Sequence, residues 1–525
     1  MNSRKNRRYY THFETEYNAL LHACEYFELT LKHKDLPGSN TQEMFENYVK
    51  DFYKFDSEYR CFITAFDRLG DTDPFNSLFE KLEQDYTNSY LNDLSVKWCA
   101  IWDGETRWHL SGITSQQGFY DRYIRRYVSD NERVVVIISD GLRYESAVQL
   151  NEELNRGQKG KSELDAMLGV IPSYTALGMA ALLPHKTIEI TSKGDFEING
   201  ISTEGTANRE KILQTVKKEA LAIRAAQIIN LNQQQLHEKL SESGNKLIYI
   251  YHNTIDARGD NASTENEVFE ATEKAFNEIF TLVRKLRTLD LSIQNIVITA
   301  DHGYIYRRTP LQERDKTPKE DLAGVKSKRR FIIANENLEQ QGTQSFPMSY
   351  LDKNSDMYAI LPRSTNCFKL SGAGSCYVHG GTSLQEVVIP VIRFRSDKKA
   401  NPSMNTKKVS VSVTSLSHKV TSIVTHLTFF QNEPVDEKHL PIHITAFFED
   451  ESGERISSEN IIIADSTSKE PQDRAYKEKF TLKNMAYDKG KNYYLVLKDE
   501  KESVNQELER IPFVIDLLFG GNIQF

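Results

Sequence analysis

Four short apolar runs, each stopping on residues able to bind a metal or an anion, restrict this chain more than any other feature. Residues 134–138 (VVVII) end in Ser139, Asp140 and Gly141, and residues 167–171 end in PSYT. Residues 246–251 (KLIYIY) lead into HNTIDARGD, and residues 295–299 (NIVIT) into Ala300, Asp301 and His302. Continuous β-branched runs of this length read as strands covered on both faces, as in a parallel sheet. A long helical pattern over residues 265–289, acidic early and basic late, separates the third run from the fourth. Strand, helix and strand in alternation predict an α/β fold. Open parallel sheets bind their ligands beyond the carboxyl ends of the strands, where all four runs deliver their polar residues.

The rest of the chain frames this layer. At 525 residues it exceeds one compact core and predicts roughly three domains. Residues 1–128 space apolar and aromatic residues three and four apart over 13–34, 42–55 and 74–95, which predicts a helical region. Residues 129–395 form the expected α/β domain. Residues 312–330 are highly charged and read as a solvated loop or lid. After a polar linker at 396–406, six short runs from VSVSVTS to YYLVLKD predict a β-sandwich over 396–525.

The net charge of −8 gives no global basic signature for nucleic acid, though a local patch can still serve. Five scattered cysteines without a CxxC pair argue for a reducing compartment and against a cysteine zinc site. The basic start, MNSRKNRRYYTHF, is followed by no apolar stretch, and no run reaches the ~18 residues of a membrane span. The expected location is cytoplasmic.

Taken together, the run ends supply Asp140, Thr175 or Ser173, Asp256, Asp260, Asp301 and His302; a Gly-rich loop adds His379. Four carboxylates in one cleft would repel, and divalent cations relieve that repulsion. Thr175 stands directly before a helix-like ALGMAALL segment, where a hydroxyl can act as a nucleophile or simply cap the helix. Ser173 follows Pro172 and reads as a turn residue, so Thr175 is preferred.

VVVIISDGLR, PSYTALGMAALLP, IDARGD, TADHG and HGGTSLQEVVIP, in this order, resemble the PglZ domain, a member of the alkaline phosphatase superfamily and a component of BREX bacteriophage-defence systems. The resemblance covers residues 129–395. It implies an alkaline-phosphatase-like, mostly parallel sheet with flanking helices. It also implies a metal-dependent phosphohydrolase, a phosphodiesterase or phosphatase with nucleic acid or a nucleotide among its substrates. By resemblance, Asp140, Asp301 and His302 hold one divalent ion, with the Thr175 hydroxyl as nucleophile, and Asp256, Asp260 and His379 hold a second. Many superfamily members carry His where this chain has Asp260, which moves the second site from zinc toward manganese or magnesium. Arg143, Arg258, Arg307, Arg308 and the 326–330 segment KSKRR, with Arg329 and Arg330, are the candidate phosphate-binding cations. His252 and Asn253 are candidate supports. Implied partners are other BREX proteins such as the methyltransferase. The alternative is a catalytically weak, metal-binding scaffold that docks those components. Sulfatase chemistry lacks its CxPxR signature, since the nucleophile loop reads PSYTAL.

Overall fold

The computed structural model describes residues 13–103, 107–241, 244, 246–289, 293–319, 324–338, 340–370, 374, 376–396, 407–414, 418–436, 439–499 and 507–517. The basic start at 1–12, linker residues 397–406 and parts of the charged segment (320–323) and of the Gly-rich loop (371–373, 375) lie outside the described residues. The chain divides into two compact units, residues 18–399, and residues 400–525 with 1–17.

The first unit is built on a six-stranded sheet. Its strands are β1 (Val134–Ser139), β2 (Gly160–Leu168), β3 (Ala220–Arg224), β4 (Leu247–His252), β5 (Asn295–Thr299) and β6 (Val388–Ser396), in the order β2-β6-β5-β1-β4-β3. β1 pairs in parallel with β4 and β5, and β3 in parallel with β4. β6 runs antiparallel between β5 and β2, so β2 shares the direction of the parallel set. Every residue of β1, β4 and β5 is buried, as their continuous apolar runs require. Each such Val or Ile contributes about 1.5–3 kcal/mol relative to an exposed one. Ser139 lies opposite His252 and Ile138 opposite Thr299, so three neighbouring chains leave the sheet at one level.

Two expectations change, and one strand appears that none covered. The second run is a strand over 160–168 rather than 167–171; Val170 and Ile171 already belong to the turn that follows. The charged segment is not all loop: Lys326–Lys328 pairs with Phe331–Ala334 in a four-stranded antiparallel sheet. β3 carried no clear signal, because it is only five residues long and mixes buried, half-buried and exposed positions without a period of two.

The helical region packs directly on this layer. Helices Glu14–Lys32, Thr41–Asn47, Tyr53–Asp67, Asn76–Gln84 and Asn92–Ile101 share one continuous core with the central sheet. Buried polar contacts cross the junction: Arg60 Nε to Glu145 Oε2 at 3.0 Å, Arg143 Nη2 to Asp56 Oδ1 at 2.7 Å, and Trp98 Nε1 donating to Thr382 O at 2.6 Å.

In the second unit a three-stranded sheet (Val411–Val413, Val424–Gln431, Ala475–Thr481) and a mostly antiparallel five-stranded sheet (including Ile442–Glu449, Tyr493–Asp499 and Glu507–Ile515) contribute to one separate apolar core. No disulfide joins the five cysteines. Among the described residues, no helix is long and apolar enough to cross a membrane.

Candidate metal and phosphoryl-transfer site

The common level of the strand ends brings the candidate donors together. Asp140 follows β1, and its N–H bonds His252 O at 2.8 Å, extending the ladder by one step. Asp301 and His302 follow β5. His302 Nε2 is the point of convergence: it lies 3.4 Å from Asp140 Oδ1, 3.5 Å from Asp301 Oδ2 and 3.1 Å from Thr175 Oγ1. Its other nitrogen, Nδ1, lies 3.0 Å from Gly303 O, which orients the ring.

Glycine makes the close approaches feasible. Gly141 holds φ +75° and turns its N–H onto Asp301 Oδ1 at 3.2 Å; a Cβ there would sit 2.9 Å from the Tyr377 hydroxyl. Thr175 opens the short helix Thr175–Ala181, three residues ahead of Gly178, whose missing side chain lets the helix rest on the Asp301 carbonyl.

His379 completes the cluster. Its ring stacks on His302 with centroids 4.0 Å apart, and its Nε2 lies 3.8 Å from Asp256 Oδ1 and 3.6 Å from Asp260 Oδ1. At this cleft two triads, Asp140, Asp301 and His302, and Asp256, His302 and His379, each hold their ligand atoms within 4.8 Å of one another. Asp260 meets His379 from the exposed side and is also approached by Arg329 Nη2 at 3.3 Å.

The electrostatics are those of crowded acids. Burial, then the charges of Asp301 and Asp256, hold the Asp140 carboxyl well above the usual carboxylate range. Burial disfavours the His302 imidazolium, but Asp301 and Asp140 outweigh it and push its pKa up to about 10. The approach of the His379 ring draws Asp260 down to about 2 against the effect of burial. Asp140 Oδ1, Asp301 Oδ2 and His379 Nδ1 are buried without a hydrogen-bond partner, and buried polar atoms in proteins are normally paired. Four carboxylates, Asp140, Asp256, Asp260 and Asp301, around the His302 and His379 imidazoles fit divalent cations.

A profile described as the BREX system PglZ alkaline phosphatase-like domain matches residues 119–394, more than half of the chain. The chain belongs to the PglZ family. It is 43% identical over its whole length to the alkaline phosphatase-like protein PglZ of Bacillus cereus (strain H3081.97), and 30% identical over 98% of its length to BrxZ of Escherichia coli O9:H4 (strain HS). It spans 61% of the length of each of these curated relatives. Among solved structures it is similar to murine ectonucleotide pyrophosphatase / phosphodiesterase 5, at 10% identity and a TM-score of 0.36, covering 51% of this chain and 88% of that one.

Within the PglZ domain the expected phosphate-binding arginines part company. Arg143, Arg307 and Arg330 are fully buried and cannot reach a ligand in the cleft. Arg143 pairs with Asp56, Arg307 Nη2 donates to Thr365 O at 2.7 Å, and Arg330 grips Glu386 through two bonds. A guanidinium taken out of water needs such fixed partners, which is why these three serve the fold. Arg258 is exposed and pairs with Glu267, and Arg308 pairs with Asp67. Arg329 alone of the expected arginines lines a cleft of about 1090 Å³, together with Thr175, Asp260, His379, Lys326, Lys328 and Arg209.

Arg209 was missed. It lies on a helix, Thr206–Gln214, far along the chain from the other cleft cations, and no motif marks it. Ser173 donates to Gly381 O at 2.7 Å and is buried, whereas Thr175 reaches the cleft. His252 sits behind the site, 3.1 Å from Ser139 Oγ and 2.8 Å from Glu278 Oε2. Asn253 Oδ1 accepts from Ala257 N, tightening the turn that carries Asp256.

Proposed function

We propose that this chain is a divalent-metal-dependent phosphoric ester hydrolase, a phosphodiesterase or phosphatase acting in the cytoplasm with nucleic acid or a nucleotide among its substrates, with Thr175 as its nucleophile. The observation that carries this reading is the convergence of the Thr175 hydroxyl, Asp140 Oδ1 and Asp301 Oδ2 on His302 Nε2, with both carboxylate oxygens lacking a hydrogen-bond partner. Asp140, Asp301 and His302 would hold one cation, and Asp256, Asp260 and His379 a second. Bound there, zinc, manganese or magnesium would offset the carboxylate charge and act as a Lewis acid on the phosphoryl oxygens.

The remaining roles belong to side chains. Thr175 Oγ gives up its proton and forms a bond to phosphorus as the bond to the leaving ester oxygen breaks and that oxygen takes up a proton. A monoester leaves a phospho-threonine, and a diester leaves a threonine phosphodiester that keeps the second ester group. Water then attacks phosphorus and restores the Thr175 hydroxyl. Arg329, Lys328 and Arg209 line the cleft beside Thr175 and suit the negative charge of a polyanionic substrate. Membership of the PglZ family makes other BREX components, the methyltransferase among them, the partners to test.

Turnover of bis-p-nitrophenyl phosphate and p-nitrophenyl phosphate with Mn²⁺, Zn²⁺ or Mg²⁺ tests the reading. Thr175→Ala is expected to lower kcat by about 10³-fold or more while Mn²⁺ still binds; Asp301→Ala is expected to lose both. No turnover with any of these metals, or turnover indifferent to both substitutions, would refute it. A second reading, a scaffold that docks BREX proteins, draws on the second unit, which contributes none of the candidate donors. Variants of the metal site that lose phage protection while complexes still assemble would exclude a purely structural role.

A further inference from the structure

Gln116 lies just ahead of the segment matched to the PglZ family, in the stretch that joins the helical region to the sheet layer. It is 0% exposed, and both ends of its amide are used. Oε1 accepts from Val170 N at 3.0 Å, while Nε2 donates to Asp301 O at 2.7 Å and to Ala300 O at 3.2 Å. Its neighbours hold the same loop: Leu168 N bonds Thr114 O at 2.9 Å, and Trp108 Nε1 bonds Gly169 O at 2.7 Å.

The Asp301 carbonyl is therefore held from two sides. Gln116 binds it from one. From the other comes the helix of Thr175, so close that a Cβ on Gly178 would sit 2.1 Å from that oxygen. Val170, the second contact of Gln116, begins the turn that leads to Thr175. One side chain thus ties the main chain of a candidate metal ligand to the turn that leads to the candidate nucleophile. An amide suits the place because it donates and accepts at once. An apolar side chain of equal size would leave the Val170 N–H and the Asp301 carbonyl buried without that partner.

We propose that Gln116 is a positioning residue of the phosphoryl-transfer site, setting the separation between the Asp301–His302 donors and the Thr175 hydroxyl. The inference rests on the function proposed above. Gln116 touches neither substrate nor cation, so its effect passes through the geometry of Asp301 and Thr175.

The test compares full-length wild type with Gln116→Met, Gln116→Glu and Gln344→Leu. The readouts are Mn²⁺ affinity by titration calorimetry, kcat and KM on bis-p-nitrophenyl phosphate, and Tm. Gln116→Met is expected to weaken Mn²⁺ binding and lower kcat by about 10–100-fold, with KM within about twofold. Gln116→Glu keeps an acceptor for Val170 N, loses the donor to Asp301 O, and is expected to show the same losses. It decides alone if Gln116→Met does not fold. Gln344→Leu strips a buried amide from Cys99 O and Asp103 Oδ1, away from the site, and is expected to lower Tm without moving Mn²⁺ affinity or kcat. If the Gln116 variants keep Mn²⁺ affinity and kcat within about twofold of wild type, the positioning role fails and the proposed function stands. If wild type binds no Mn²⁺ and turns over neither ester, both fail together.

Discussion

Asp140 and Asp301 bring two buried carboxylates to one imidazole, and the balance among those three groups governs the site. Opposite charges about 4 Å apart attract by about 4 kcal/mol at an effective dielectric near 20, and like charges repel as strongly. His302 as imidazolium satisfies one acid well and two poorly, and Asp140 Oδ1 stays without a hydrogen bond. Asp140→Asn removes a carboxyl whose charge is disfavoured by burial and by Asp301 and Asp256. Cation-free protein carrying this substitution is expected to gain about 1 kcal/mol in urea unfolding at pH 7.5. Saturating Mn²⁺ should reverse the ranking, stabilising wild type by about 2–4 kcal/mol and the variant far less. At this scale Asp140, Asp301 and His302 were legible because residue type and strand-end position selected them, whereas His379 came from a Gly-rich loop and the division into two sites from the family resemblance. The arginines were not, because a guanidinium on a phosphate and one on a buried carboxylate look alike in sequence; Arg143 and Arg330 are of the second kind.

The loop that carries His379 depends on Glu386. This buried carboxylate accepts from Gly381 N at 2.8 Å, from Ser383 N at 3.1 Å, from Ser383 Oγ at 2.7 Å and from the Arg330 fork. Burial opposes the charge, but Arg330 and these donors outweigh it and hold the Glu386 carboxyl below its ordinary value. A carboxyl depressed on folding contributes stability above its unfolded pKa and loses it as pH falls through the folded one. Glu386→Gln is expected to cost about 3–5 kcal/mol at pH 7, by leaving Arg330 buried without its counter-charge. The gap to wild type should narrow as pH drops below about 4, as urea titrations at pH 7 and pH 3 would register. Among the strands, β1, β4 and β5 could be read directly because both faces are buried and the run is unbroken. β2 could not be placed correctly. As an edge strand it leaves polar side chains partly in water over most of its length, so only its buried end, Met167 and Leu168, looked like a strand.

Across the molecule, the helical region and the sheet layer are one folding unit. Asp56 receives the Tyr48, Tyr86 and Tyr90 hydroxyls and Gln385 Nε2, besides pairing with Arg143, and all of these groups are buried. A fragment of residues 129–399 would open that network and lose the part of the shared core that runs from Ala19 to Ile124. It is expected to show no cooperative melt by circular dichroism or calorimetry, whereas residues 13–399 should melt as a unit. Periodicity and residue type along the chain were enough to mark an α/β layer flanked by helices, a β-rich carboxyl-terminal region, and a set of acids and histidines at strand ends. Those features are local: a run of Val and Ile is buried whichever neighbour covers it, and the polar residues after it emerge at the strand end. Partner choice was not local. The antiparallel insertion of β6, the burial of Arg143, Arg307 and Arg330, the place of Arg209 in the cleft and the hold of Gln116 on Asp301 each join residues far apart in the chain. Such contacts arise only when distant segments compete for the same buried carboxylate, carbonyl or sheet edge, and folding settles that competition.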